Sequence, residues 1–111
     1  MIHGGAVNHS GGDEFLTRPT VEGQAAVVRA AYEDAGKRPD QVAYVELHGT
    51  GTPVGDPVEA AALGEVFSAG RDEPLRVGSA KTNVGHLEGA AGIVGLVKAV
   101  LSLDHQQIPP A

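Results

Sequence analysis

The run Val42-Ala43-Tyr44-Val45-Glu46-Leu47, then His48-Gly49-Thr50-Gly51-Thr52-Pro53-Val54-Gly55, then Asp56-Pro57-Val58-Glu59 contains a strand, a turn and a helix start in succession. Val42 to Leu47 is apolar and rich in residues that suit a pleated, buried surface, so it reads as a largely buried strand that delivers His48 at its C-terminal end. The glycines after His48 allow the backbone a tight turn. At Asp56 a helix is expected: aspartate caps, proline fits the first helical position, and Glu59 at the third reaches back in a capping box. That helix is predicted to run to about Ala69, before Gly70.

The same alternation extends to both sides. Ile2 to Asn8 reads as a short strand, and His9-Ser10-Gly11-Gly12-Asp13 has the composition of a loop. Thr20 is an N-cap, Val21, Ala25, Val28, Tyr32 and Ala35 recur at helical spacing, and Gly36 is a stop, which predicts a helix over about 21–35. Arg38-Pro39-Asp40 breaks the chain before the buried strand. Downstream, Arg71-Asp72-Glu73-Pro74 is a charged turn, read most simply as a solvated loop, and Leu75 to Ser79 is a short strand. The loop Lys81-Thr82-Asn83-Val84-Gly85-His86 leads into a helix from about Glu88 to Asp104. That helix is apolar nearly all round, with Gly89, Gly92 and Gly95 at intervals of three. It is expected to be buried in a larger body, its glycines letting another backbone come close. Strand, helix, strand, helix, strand, helix favours right-handed crossovers and a mainly parallel sheet, with ligands collecting at the carboxyl ends of the strands. Both histidine loops lie at that end and are expected to face one pocket.

Composition narrows the function classes. The 111 residues fit one domain, and 41% hydrophobic with 20% charged residues is a globular balance. With two Tyr, two Phe and no Trp, the core must be built from Ala, Val, Leu and Ile. A formal charge of −6, with no basic stripe, argues against a nucleic-acid partner. The longest apolar stretch, Gly89 to Val97, is too short to span a bilayer, and the N-terminus lacks a basic segment followed by an apolar one. The expectation is no membrane association and a cytoplasmic location. Absence of cysteine excludes disulfides and thiolate metal sites. It also removes the usual nucleophile for covalent acyl transfer, although two histidines can hold a carbonyl oxygen and stabilise charge on it.

Singly, each motif is no more than a glycine-rich turn, and the His48 turn lacks the lysine and spacing of a phosphate-binding loop. Together they form one ordered set: His48 through Glu59, then Lys81 and His86 five residues apart, then Glu88-Gly89-Ala90-Ala91-Gly92, with Ala6-Val7-Asn8 near the start and Ile108-Pro109-Pro110 at the end. This set resembles the C-terminal half of a β-ketoacyl synthase, in the style of the ketosynthase domains of type I polyketide synthases. The resemblance implies a thiolase-like α/β fold: two similar halves stacked as alternating helix and sheet layers, usually dimerised. It implies decarboxylative Claisen condensation in polyketide or fatty-acid biosynthesis, in which an acyl group on a cysteine is attacked by a carbanion from a malonyl-type thioester on acyl carrier protein. His48 and His86 correspond to the family's two histidines, whose N–H groups would stabilise the enolate without a metal.

By the same resemblance Lys81 and Glu59 match the family's lysine and glutamate, and a Lys81–Glu59 ion pair could orient His86. Glu59 could equally do no more than complete the capping box. Thr50 and Thr52 match positions that contact the phosphopantetheine arm, or else their hydroxyls satisfy the turn's own backbone. Asp56 reads as a helix cap, and His3, His9 and His105 as exposed or locally bonded. A metal held by His48, Asp56 and His86 is formally possible, but the family match explains the same residues, so no metal and no directly bound cofactor are expected. Phosphopantetheine would arrive on the carrier protein. The other implied partners are the remainder of the ketosynthase domain and a second copy of it.

The family's nucleophilic cysteine belongs to the first half of the fold, onto which no residue here can be carried. The last two strands of the second half are also missing. Residues 1–111 are therefore read as a partial ketosynthase C-terminal domain, a fragment without condensing activity alone and with uncovered apolar faces that favour association. The alternative is a non-catalytic module that binds acyl carrier protein or pairs with another condensing half. A thiolase is disfavoured, because thiolases carry a cysteine in place of one of the two histidines. Acyl-chain and extender-unit specificity are not encoded in this stretch.

Overall fold

Thr20 and Gly36 bracket the first helix, α1 (Val21–Ala35). The Thr20 hydroxyl accepts the Gly23 N–H at 3.1 Å, as an N-cap should. At the other end Gly36 turns left-handed (φ 61°), its N–H donating to the Glu33 carbonyl and that of Lys37 to Tyr32. This paired closure uses a conformation that glycine adopts without strain. The computed structural model describes residues 1–9 and 17–111, so the loop expected after His9 lies outside the described residues.

A 3-10 turn (Pro39–Gln41) leads to β1 (Tyr44–Glu46), α2 (Gly55–Phe67), β2 (Arg76–Gly78), a single-turn α3 (Lys81–Val84), a second 3-10 turn (Glu88–Ala90) and α4 (Ala91–Asp104). β1 and β2 pair in parallel, Tyr44 opposite Arg76, Val45 opposite Val77 and Glu46 opposite Gly78. The alternation and the parallel sense match expectation. The boundaries shift inward: α2 stops at Phe67 rather than Ala69, and the last helix becomes regular only at Ala91.

Ile2 to Asn8 forms no strand. The segment instead lies along α1, the Gly5 N–H donating to the Asp34 carboxylate at 3.0 Å and the Asn8 side-chain amide to the Gly23 carbonyl at 2.8 Å. The Gly5 N–H, which a ladder would have paired, finds its partner on the helix instead.

Successive strand residues point to opposite faces, and that alternation sorts the layers. Val45 packs into the core formed by Ala25, Ala62, Val66 and Phe67, where α1 meets α2. Tyr32 and Phe67 close that core edge to face, with ring centroids 5.5 Å apart. Glu46, on the other face, meets α4. The outer side of α4 is open: Ile93, Val97, Val100 and Leu103 are 50–78% exposed. No helix among the described residues is long and apolar enough to cross a membrane.

Arg71 is no solvated loop residue, contrary to expectation. Its guanidinium donates to the Pro39 carbonyl at 3.2 Å and to the Val42 carbonyl, tying the α2–β2 turn to the approach of β1. The glycines of the last helix also differ from one another. A Cβ at Gly89 or Gly92 would meet nothing, whereas one at Gly95 would stand 3.3 Å from Glu46 Cγ. Gly95 thus accommodates a side chain rather than another backbone. Gly92→Ala is expected to raise the chain's stability by about 0.5–1 kcal/mol through helix propensity. Gly95→Ala should lower it, because Glu46 has no room to yield, and urea unfolding of the two variants compares them directly.

Candidate active site

β1 ends two residues before His48, and α2 holds the loop between them. The Glu59 carboxylate, in the second turn of α2, accepts the backbone N–H groups of His48 at 2.7 Å and Gly49 at 2.9 Å. Asp56 accepts the Gly51 N–H at 3.0 Å, and the Thr52 hydroxyl accepts that of Gly55 at 2.9 Å. The expected capping box is therefore replaced. Neither carboxylate caps the helix; each spends its oxygens on the histidine loop, whose glycines offer N–H groups at close range. Gly49 adopts φ 48° and passes so near β2 that a Cβ would lie 3.0 Å from that of Ser79. Only glycine fits both demands.

Ser79 is buried and begins the second loop. Its carbonyl accepts the Thr82 hydroxyl at 2.8 Å and its Oγ accepts the Lys81 N–H at 3.3 Å, starting α3. Gly85 (φ 74°) then reverses the chain and presents His86. Glu88, left-handed at φ 49°, turns its N–H onto His86 Nδ1 at 3.0 Å. With Nδ1 accepting, the neutral ring carries its proton on Nε2. His86 is thereby an N–H donor through Nε2.

The two loops meet. The rings of His48 and His86 lie 5.6 Å apart, nearly perpendicular at 88°. The His48 ring has no hydrogen-bond partner among the described residues. His48, Thr50, Thr52 and Glu59 line a cleft of about 390 Å³, together with Gln24 of α1. Within it the Thr50 hydroxyl is unbonded among the described residues, whereas that of Thr52 is taken by Gly55. A more apolar groove of about 680 Å³ lies along the other side of α2, between Leu63, Phe67, Leu75 and Val77, away from both imidazoles.

The Lys81–Glu59 ion pair does not form: among the described residues Lys81 pairs with no carboxylate. Glu59 is already satisfied by two N–H donors, and Lys81 is half-buried on α3. His48, Asp56 and His86 do not gather into a metal-binding group either.

The ion pair the sequence reading missed is Glu46–Lys98. Glu46 Oε2 lies 2.8 Å from Lys98 Nζ, with side chains 12% and 14% exposed. The Tyr44 hydroxyl donates to the same oxygen at 2.5 Å, and the Ala80 N–H donates to Oε1 at 2.5 Å. Burial by itself pushes the Glu46 carboxyl up, but the Lys98 ammonium, the Tyr44 hydroxyl and the Ala80 amide outweigh it and hold it below its ordinary value of about 4.5. Burial likewise opposes charge on Lys98, yet Glu46 and Tyr44 raise it above its ordinary 10.5. The only sequence signal was a lone acid in an apolar strand and a lone lysine in an apolar helix.

Comparison with known proteins decides the family. The family described as "Beta-ketoacyl synthase, C-terminal domain" matches residues 1–111. The chain belongs to it. Among curated relatives it is 54% identical to polyketide synthase GfsA of Streptomyces halstedii, covering 100% of the chain and 2% of that protein. It is 51% identical to polyketide synthase ThaG of Burkholderia thailandensis, covering 99% of the chain and 2% of the relative. Among solved structures, the Streptomyces albus oxazolomycin ketosynthase domain OzmH KS7 superposes with a TM-score of 0.86 at 39% identity, over 95% of this chain and 18% of that one. The ketosynthase from module 6 of the Bacillus subtilis bacillaene synthase gives 0.86 at 40% identity, over 94% and 19%. This is thus a C-terminal ketosynthase domain of the type I polyketide synthase kind. Its α/β architecture is part of a thiolase-like fold, and it spans less than a fifth of each of these relatives.

Two measurements follow from the geometry. Because Glu46 titrates below its ordinary value, its contribution is present above about pH 4.5 and is lost as pH falls through the lowered value. Because Lys98 titrates above 10.5, its contribution is present below that and is lost only as pH rises through the raised value. Glu46→Gln should therefore cost about 3–5 kcal/mol at pH 7 and flatten the acid limb of a stability–pH curve measured by denaturant unfolding. Separately, nitrogen-15 NMR of the neutral chain should find His86 as the Nε2–H tautomer, and Nδ1–H would contradict the Glu88 contact.

Proposed function

We propose that this domain supplies the enolate-stabilising half of a condensing site, in a decarboxylative Claisen condensation between an enzyme-bound acyl group and a malonyl-type thioester on acyl carrier protein. The observation that carries this reading is the pair of imidazoles 5.6 Å apart, one fixed as an Nε2–H donor. Loss of carbon dioxide from the malonyl group leaves its electron pair on the α-carbon and thioester oxygen. Two preorganised N–H donors aimed at that oxygen lower the barrier without reorganising. His86 is held ready by the Glu88 N–H, and His48 is set by the Glu59 clamp on its backbone. Glu59 thus acts through the loop, and the half-buried Lys81 adds positive charge on the helix that leads to His86.

The acyl-bearing cysteine is to come from the remainder of the ketosynthase domain, so the chain alone is inactive on this reading. The open apolar side of α4 supports a covering partner of that kind, within a domain that dimerises. Thr50, whose hydroxyl in the cleft beside His48 is unbonded among the described residues, is the better candidate to contact the phosphopantetheine arm. Thr52 is occupied by the turn and acts structurally.

The test is made in the complete ketosynthase domain that contains the chain. His48→Ala and His86→Ala should each slow carbon dioxide release from malonyl carrier protein by about 10²-fold or more, while acyl loading proceeds. Thr50→Val should raise KM for the carrier substrate with kcat little changed. Undiminished decarboxylation in both histidine variants would refute the assignment.

A further inference from the structure

The Glu46–Lys98–Tyr44 cluster lies outside the site, yet it ties together the two segments that carry the histidines. Glu46 precedes His48 by two residues on the same strand exit, and Ala80 opens the helix whose far end leads to His86. The backbone bond from Leu47 N–H to the Gly78 carbonyl at 2.7 Å joins the two strand exits, and one side-chain bond, Ala80 N–H to Glu46 Oε1 at 2.5 Å, reaches beyond it to the start of α3 across 34 residues of chain. We propose that Glu46 is a positioning residue: the acceptor it offers to the Ala80 amide sets the separation and facing of His48 and His86. This rests on the reading of the histidines given above.

The carboxylate has no freedom to adjust. Its other oxygen is held by Lys98 at 2.8 Å and by Tyr44 at 2.5 Å. Gly95 packs on its stem, where a Cβ would stand 3.3 Å from Glu46 Cγ, and a Cβ at Gly78 would meet the Tyr44 hydroxyl at 2.8 Å. The element it holds cannot place itself. α3 is a single turn with no side-chain cap, and a helix that short is unstable alone. The Thr82 and Lys81 bonds to Ser79 are local and do not tie α3 to β1. The contact of Gly49 with Ser79 does cross, but it is apolar and sets no direction, and the Leu47 N–H bond to the Gly78 carbonyl fixes the strand exits without reaching α3. A directional bond from a rigid acceptor is what fixes the angle at which α3 leaves the sheet.

The test separates the acceptor from the charge. In the complete ketosynthase domain, Glu46→Gln with Lys98→Met keeps an oxygen for the Ala80 amide and leaves no buried charge unpaired. Glu46→Leu with Lys98→Met removes the acceptor while matching volume, and replacement of a buried ion pair by apolar residues is compatible with folding. At matched thermal midpoints, the first double variant should decarboxylate malonyl carrier protein close to the parent rate. The second should lose about 10²-fold in kcat, the effect of a misplacement near 1 Å, with KM and acyl loading unchanged. Should the leucine version not fold, Glu46→Met with Lys98→Met makes the same comparison. Equal kcat in the two double variants overturns the proposal and leaves the histidine roles intact. A His86→Ala control that still decarboxylates at the parent rate overturns the functional reading itself, and the proposal with it.

Discussion

A carboxylate placed inside a sheet must be paired or it drives its own strand out, and Glu46, between β2 and α4, sits under that constraint. Its charge is met by Lys98 from α4, the Tyr44 hydroxyl of its own strand and the amide that begins α3. Two of these partners belong to other segments, so neutralising one side chain docks the last helix and the start of the second histidine loop together. An apolar residue would bury more cheaply there, but it would offer no directional bond to the Ala80 amide. The sheet itself is too small to provide that order, with three residues in each strand.

Glu59 solves a different problem with the same functional group. The His48 turn is rich in glycine and would otherwise be loose, and its N–H groups point where no strand can pair them. By accepting two of them, Glu59 turns a flexible connection into a fixed platform, and the first turns of α2 become part of the loop's framework. The first histidine is thus held by its backbone. The second is held by its ring, through the Glu88 amide. These are independent devices, and neither engages the Nε2 of its ring.

Local chemistry was legible in the sequence and long-range chemistry was not. Thr20 and Gly36 declared the ends of α1 because caps act within a few residues. The parallel strand–helix alternation followed from β1 and the Asp56-Pro57 start. Asp56 and Glu59 were misassigned as a capping box because nothing in their spacing reveals that the preceding loop folds back within reach. The strand expected over Ile2–Asn8 failed for a related reason: its apolar pattern is real, but its polar groups find partners on α1. His48 and His86 lie side by side and Thr50 and Thr52 line a cleft with His48, whereas no Lys81–Glu59 pair forms. Glu46–Lys98 was invisible, since the partners are remote in the chain and each looks like a solubilising charge in an apolar run.

The parallel register of β1 and β2 has a kinetic side. Tyr44 pairs with Arg76, and the bond that joins the histidine segments spans 34 residues. Closing such a loop costs entropy before any strand contact rewards it. The individual helices rest on local bonds and can form before any of these long-range contacts, the α1–α2 core included, where Arg29 meets Glu65 across 36 residues. The 5.6 Å approach of the histidines depends on those long-range contacts and not on the helices alone. A partly folded chain would display the helices and lack the site, so helicity alone would be a poor gauge of competence.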